Sequence, residues 1–157
     1  PVMRLHGYRM PYQPQHGTTG GAACVSGAPN EIWSYGEQVY EICKKYIALR
    51  EQMRPYIRKL MQAAHEKGDP LMRPLFYDFP QDEQAWADES AYMFGEKILV
   101  APVMERGLKS KKVYLPQGST WTNVWTRETI NGGQTVKVET PLDQIPLFTR
   151  DGFELGI

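Results

Sequence analysis

Between Ile32 and Ala64, apolar residues return every three or four positions: Ile32, Tyr35, Val39, Ile42, Tyr46, Leu49, Met53, Tyr56 or Ile57, Leu60 and Ala64. That spacing gathers them into one stripe along a helix. Nothing else in the chain constrains its fold as strongly. So long a stripe needs a partner layer, and it is too broad for one small β-sandwich to cover. Asn30 is a good N-cap, and Glu31 places a negative charge in the first turn, where the helix dipole favours it. Lys67-Gly68 reads as the stop. Pro55 lies inside the pattern. It has no amide hydrogen and its ring crowds the carbonyl four residues back, so a kink or break is expected just before it.

The flanks differ in texture. Residues 1–7 read as a short strand, and residues 8–28 as a loop rich in Gly, Pro, Gln and Thr, longer than most connections. After the helix, 71–80 is a strand-like run bracketed by prolines, and 81–90 is polar and acidic, the composition of a linker. Beyond it lie short β-rich runs at 92–95, 98–101, 112–115, 121–125, 135–138 and 145–148. Pro116-Gln117-Gly118 and Asn131-Gly132-Gly133 are turn signals between them. Closely spaced short strands suggest a β-sandwich. The expected organisation is α/β followed by all-β, with strand–loop–helix–strand over 1–80 and the sandwich over 81–157.

Composition excludes more than it selects. Lys plus Arg and Asp plus Glu both number 18, which marks neither a nucleic-acid nor a membrane-surface partner. No apolar run approaches the ~20 residues that span a bilayer. Cys24 and Cys43 lack metal-ligand spacing and read as small, buried or half-buried residues, with a disulfide left open. No signal peptide is visible, but Pro1 begins in structured-looking sequence, which reads as a fragment and leaves the localisation open.

Several runs, in order, resemble glycoside hydrolase family 31. They are Arg4-Leu5-His6-Gly7, Leu49-Arg50 through Arg54-Pro55-Tyr56, and Met72-Arg73-Pro74-Leu75-Phe76. Further on come Phe94-Gly95-Glu96-Lys97-Ile98-Leu99-Val100-Ala101-Pro102-Val103 and Val113-Tyr114-Leu115-Pro116 with Trp121 and Trp125. Pro141-Leu142-Asp143 to Ile145-Pro146-Leu147-Phe148 closes the series. Each is modest alone; their order covers nearly the whole chain. The resemblance implies the end of a (β/α)8 TIM barrel in 1–80 and a C-terminal β-sandwich domain in 81–157. It also implies a retaining glycosidase that cleaves α-linked sugars with two carboxylates. The family supplies both as aspartates on earlier barrel strands, so the nucleophile and acid/base are expected upstream of Pro1 and none in this chain.

What the resemblance leaves here is substrate contact. The histidine of the family's Arg-x-His motif lies in the subsite of the sugar being cleaved, and that role carries over to His6. A neutral imidazole both donates to and accepts from sugar hydroxyls. Barrel active sites sit at the C-terminal ends of strands, which agrees with a histidine at a strand end. Arg4 stands beside it, either orienting a carboxylate or bracing loops. The expected partners are an α-linked oligosaccharide or xyloside and the upstream remainder of the same enzyme, with no metal and no cofactor. His6-Gly7-Tyr8-Arg9 and Asn30-Glu31-Ile32-Trp33 look more like the family's α-xylosidases than its α-glucosidases.

Other residues invite rival readings. Asp78, Asp82, Asp88 and Glu89 tempt a search for a carboxylate pair, but their Pro-bounded, polar surroundings suit a solvated linker better. Tyr114, Trp121, Trp125 and Phe148 admit either a sugar-stacking platform or a sandwich core, and alternation along strands favours the core. His16 and His65 read as loop and helix-surface residues. The rival from another class is a stand-alone carbohydrate-binding β-sandwich module, against which the long helix stands.

Overall fold

The computed structural model describes residues 13–14, 25–26 and 31–155. The chain divides into two units, 1–52 and 53–157. His6, Arg4, Cys24, the expected strand at 1–7 and the Asn30 cap lie outside the described residues.

In the first unit, β1 (Gln13–Pro14) and β2 (Val25–Ser26) pair antiparallel, so the stretch read as loop holds a short ladder. The helix does not run unbroken from residue 31. Ile32–Tyr35 form a 3-10 turn that ends at Gly36, whose φ of +87° lies in the region that favours glycine. Only then does α1 (Glu37–Gln52) begin, with Glu37 in its first turn and Arg50 in its last. Both charges complement the helix dipole.

In the second unit, α2 (Arg54–Lys67) starts after Met53, with Pro55 in its first turn, where a missing amide costs nothing. The expected break is therefore real. Gly68 ends the helix in a left-handed cap, its amide donating to the Ala64 carbonyl at 3.1 Å.

The run 71–80 is not one strand. Only β3 (Met72–Pro74) is extended, and α3 (Leu75–Asp78) follows at once. Two contacts fold the segment back: Phe79 N–H donates to Leu75 O at 3.0 Å, and Arg73 reaches Asp78 at 2.8 Å. The acidic stretch is no solvated linker either. It contains α4 (Glu83–Ala87), with Asp82 and Ala85 buried.

The remaining strands are β4 (Tyr92–Phe94), β5 (Ile98–Val100), β6 (Ser110–Leu115), β7 (Thr120–Asn123), β8 (Thr129–Asn131), β9 (Gln134–Glu139) and β10 (Leu147–Arg150). Six of the strands form an antiparallel sheet in the order β3-β4-β5-β10-β7-β8, and β6 pairs with β9 as a separate ribbon. β8 carries no strand pattern of its own, because its three residues run into the Asn-Gly-Gly turn signal.

The register explains the core. Met93 lies opposite Leu99, Leu99 opposite Phe148, and Trp121 opposite Ile130, so these side chains share one sheet face. Met93, Leu99, Phe148 and Trp121 are fully buried. Val113 and Leu115 of β6 join the same cluster, with Val136 and Val138 of β9 packed against it. The ribbon thus closes over that face as the second layer of a small sandwich. Burying one such side chain contributes roughly 1.5–3 kcal/mol.

Helix α2 seats on the β4–β5 hairpin. Tyr56 donates to the Phe94 carbonyl at 2.9 Å and meets the Phe94 and Phe153 rings at 6.0 and 5.2 Å. Gly95 turns the hairpin at φ +61°, and a Cβ there would sit 2.7 Å from Leu60 Cδ2. Glycine is required twice over, for the turn and for the close approach.

Candidate functional site

Asp82 is a hub. It caps α4, accepting from Gln84 N at 3.1 Å and Ala85 N at 3.4 Å. The Tyr114 hydroxyl donates to it at 2.7 Å, and Gln117 N at 3.0 Å. Burial alone would raise the Asp82 carboxyl, but these bonds together outweigh it and hold its pKa below the usual carboxylate range. Tyr114 is the counterpart: burial and the carboxylate beside it push its hydroxyl up to about 12. The pair ties α4 to β6 and to the turn after it.

Asp78 sits in a different arrangement. Its Oδ1 accepts from Arg73 at 2.8 Å, with both side chains about nine-tenths buried. Its Oδ2 is buried with no hydrogen-bond partner among the described residues. Burial raises its pKa, and the Arg73 charge only partly offsets this. Arg73 also donates to Pro70 O at 3.0 Å and lies over the Tyr77 ring, while Arg150 lies over the Phe79 ring.

The buried Asp82 and the half-buried Asp78 are therefore both held by the fold, one as cap and cross-link, the other in an ion pair. Asp88 accepts from Ser90 N at 2.7 Å. Asp88 and Glu89 border an open groove of about 470 Å³ lined also by Gln84, Ser90, Met104, Lys112, Tyr114 and Thr135. A smaller hollow of about 210 Å³ lies between Thr122, Thr149 and Phe153. Among the described residues, no group of three or more His, Cys, Asp or Glu gathers as a metal site would need. No helix among them is long and apolar enough to cross a membrane.

The aromatic residues divide. Trp121 and Phe148 are fully buried and Tyr114 nearly so, which agrees with the core reading. Trp121 Nε1 donates to Pro116 O at 2.9 Å, so its burial leaves no polar atom unpaired. Trp125 is half-buried, its Nε1 donating to Ile145 O at 2.7 Å. His65 is exposed on α2, and Cys43 carries a free, half-buried thiol. Sequence reasoning missed the Asp82 hub. The signal was present in an aspartate ahead of a short Glu-Gln-Ala-Trp run, but its partner Tyr114 is 32 residues away and nothing local announces it.

Helices followed by an antiparallel β-sandwich, with Asp78 and Asp82 held in structural contacts, make up the described fold. Its family is equally plain. Residues 68–153 match the glycosyl hydrolase family 31 C-terminal domain, and the chain belongs to glycoside hydrolase family 31. It is 35% identical to an α-xylosidase of Saccharolobus solfataricus over all of this chain and 19% of that protein. It is 36% identical to α-glucosidase 2 of Bacillus thermoamyloliquefaciens, over 81% of this chain and 16% of that one. Among solved structures, a family 31 α-xylosidase from a soil metagenome, complexed with xylose, superposes with a TM-score of 0.84 at 49% identity. That match covers 98% of this chain and 23% of the other. A Flavobacterium johnsoniae dextranase complexed with isomaltotriose matches at TM-score 0.75 and 34% identity, over 78% and 15%. The chain thus spans about a fifth of the length of the relatives it matches.

Proposed function

We propose that this chain is the C-terminal portion of a retaining α-glycosidase that acts on terminal α-xylosides, with α-glucosides next. The observation that carries the reading is the similarity to the soil-metagenome α-xylosidase, 49% identical over 98% of this chain. The nucleophile and acid/base come from a segment ahead of Pro1, as the family resemblance implies, while Asp78 and Asp82 are engaged in structural contacts. Residues before Gly68 belong to the end of the (β/α)8 barrel and those after it to the sandwich. The pairing of β3 with β4 and a family match that starts at residue 68 support this reading over the 80/81 division expected from sequence. His6 contacts the sugar in the cleaved subsite, and Arg4 stands behind it. A xylosidase favours a sugar that lacks the hydroxymethyl group on carbon 5. One such group discriminates by only about 1–3 kcal/mol in an apolar pocket. The test is kcat/KM of the full-length enzyme on matched aryl α-xyloside and α-glucoside, where the xyloside should win. Equal or higher efficiency on the glucoside defeats the xylosidase reading and leaves the family intact. His6→Ala in the same enzyme should lower kcat/KM on either sugar, and an unchanged value removes His6 from the site.

A further inference from the structure

We infer that Asn131 is a deamidation site gated by local opening of the corner between β8 and β9. An Asn-Gly step is chemically labile. The glycine nitrogen, once deprotonated, attacks the asparagine Cγ; a C–N bond forms and ammonia leaves, giving a succinimide. Water then opens the ring at either carbonyl to yield aspartate or isoaspartate. The net change consumes one water, releases one ammonia and involves no oxidation. Asn131 has what the reaction needs: its side chain is exposed, and Gly132 offers no Cβ to hinder attack.

The folded corner withholds the nucleophile. Gly132 N–H donates to Ser119 O at 2.9 Å, so the proton that must be lost is held in a hydrogen bond. The next amide, Gly133 N–H, donates to Leu115 O at 2.7 Å. Gln134 Nε2 donates to Asn131 O at 2.8 Å from the other side. Gly132 also lies so close to the Pro116 carbonyl that an added Cβ would collide with it, so the step is closely packed against the turn after β6. Deamidation therefore requires the same opening as exchange of the Gly132 amide hydrogen. Once formed, isoaspartate adds a methylene to the backbone and misplaces both glycine amides, so the corner cannot close again. The modification is an irreversible mark of each opening that lasted long enough.

The experiment incubates the intact protein at mildly alkaline pH, in buffer and in concentrated urea, and quantifies aspartate and isoaspartate at Asn131 by peptide mapping. Asn123, followed by the β-branched Val124, is the internal reference. Conversion of Asn131 in urea, with a rate at least roughly tenfold lower in the folded protein, is the expected result. A folded-state rate within that tenfold of the unfolded one overturns the gate. No preferential conversion of Asn131 over Asn123 in urea overturns the site itself.

Discussion

At the scale of single residues, Asp82 and Tyr114 form the contact whose loss is easiest to read. The tyrosine hydroxyl donates to a buried carboxylate, and hydrogen bonds to charged groups contribute about 1.5–3 kcal/mol. Tyr114→Phe should destabilise the protein by that amount, measured as a shift in the urea midpoint at unchanged slope. The pH dependence follows from the depressed Asp82 pKa. A carboxyl held below its usual value contributes stability above the unfolded-state pKa, near ~3.9, and loses it as pH falls through the folded value. In Tyr114→Phe the carboxylate has one donor fewer and its folded pKa moves up. Acid unfolding should then begin at a higher pH than in the parent, and the stability gap between the two should narrow once both carboxyls are protonated. Asp82 also shows how far a sequence can be read at this scale. An aspartate among polar neighbours resembles a solvated one until the strand that buries it is in place.

At the scale of elements, the β3–α3 corner depends on the Arg73–Asp78 pair. Removing one partner of a fully buried ion pair costs about 3–5 kcal/mol, and less is expected for this largely buried one, because the remaining charge loses its compensation, whereas replacing both with apolar residues can be nearly neutral. Arg73→Met should therefore destabilise strongly, and Arg73→Met combined with Asp78→Leu should recover most of the loss. Asp78 carries a raised pKa through burial, so its contribution is full below the unfolded-state pKa and fades as pH rises through the folded value. Without Arg73 that pKa rises further. The single variant should accordingly suffer more at neutral than at mildly acidic pH, measured by urea midpoints at both. The element also shows why 71–80 misled as a continuous strand. Its composition suits a strand, but the Arg73–Asp78 contact and the Phe79 amide turn it into a helical corner after Pro74.

At the scale of the whole molecule, the chain spans about a fifth of the length of its relatives, and the proposed function places the reacting carboxylates in the remainder. The purified chain should therefore hydrolyse no aryl α-glycoside above a buffer blank, since the two carboxylates supply most of the barrier lowering in this mechanism. Turnover that survives extensive purification would return catalysis to these residues.

The sequence by itself determined the succession from helix to short strands and much of the core. Helical spacing beyond Gly36, the proline break, the Gly68 stop and most of the strands are local patterns, set by side-chain periodicity and backbone permission, and they need no tertiary contact to be read. The apolar identity of Trp121 and Phe148 on alternating strand positions likewise foretold their burial. Tertiary structure alone decided the rest. It made β3 a sheet strand by giving it β4 as an antiparallel partner, and it split β6 and β9 from the six-stranded sheet into a ribbon. It also turned Asp82 from an acidic surface residue into a buried hub. Pairing and burial join residues tens of positions apart, as Tyr114 joins Asp82, and no local pattern carries that information because the free energy of such a contact exists only once both ends have met.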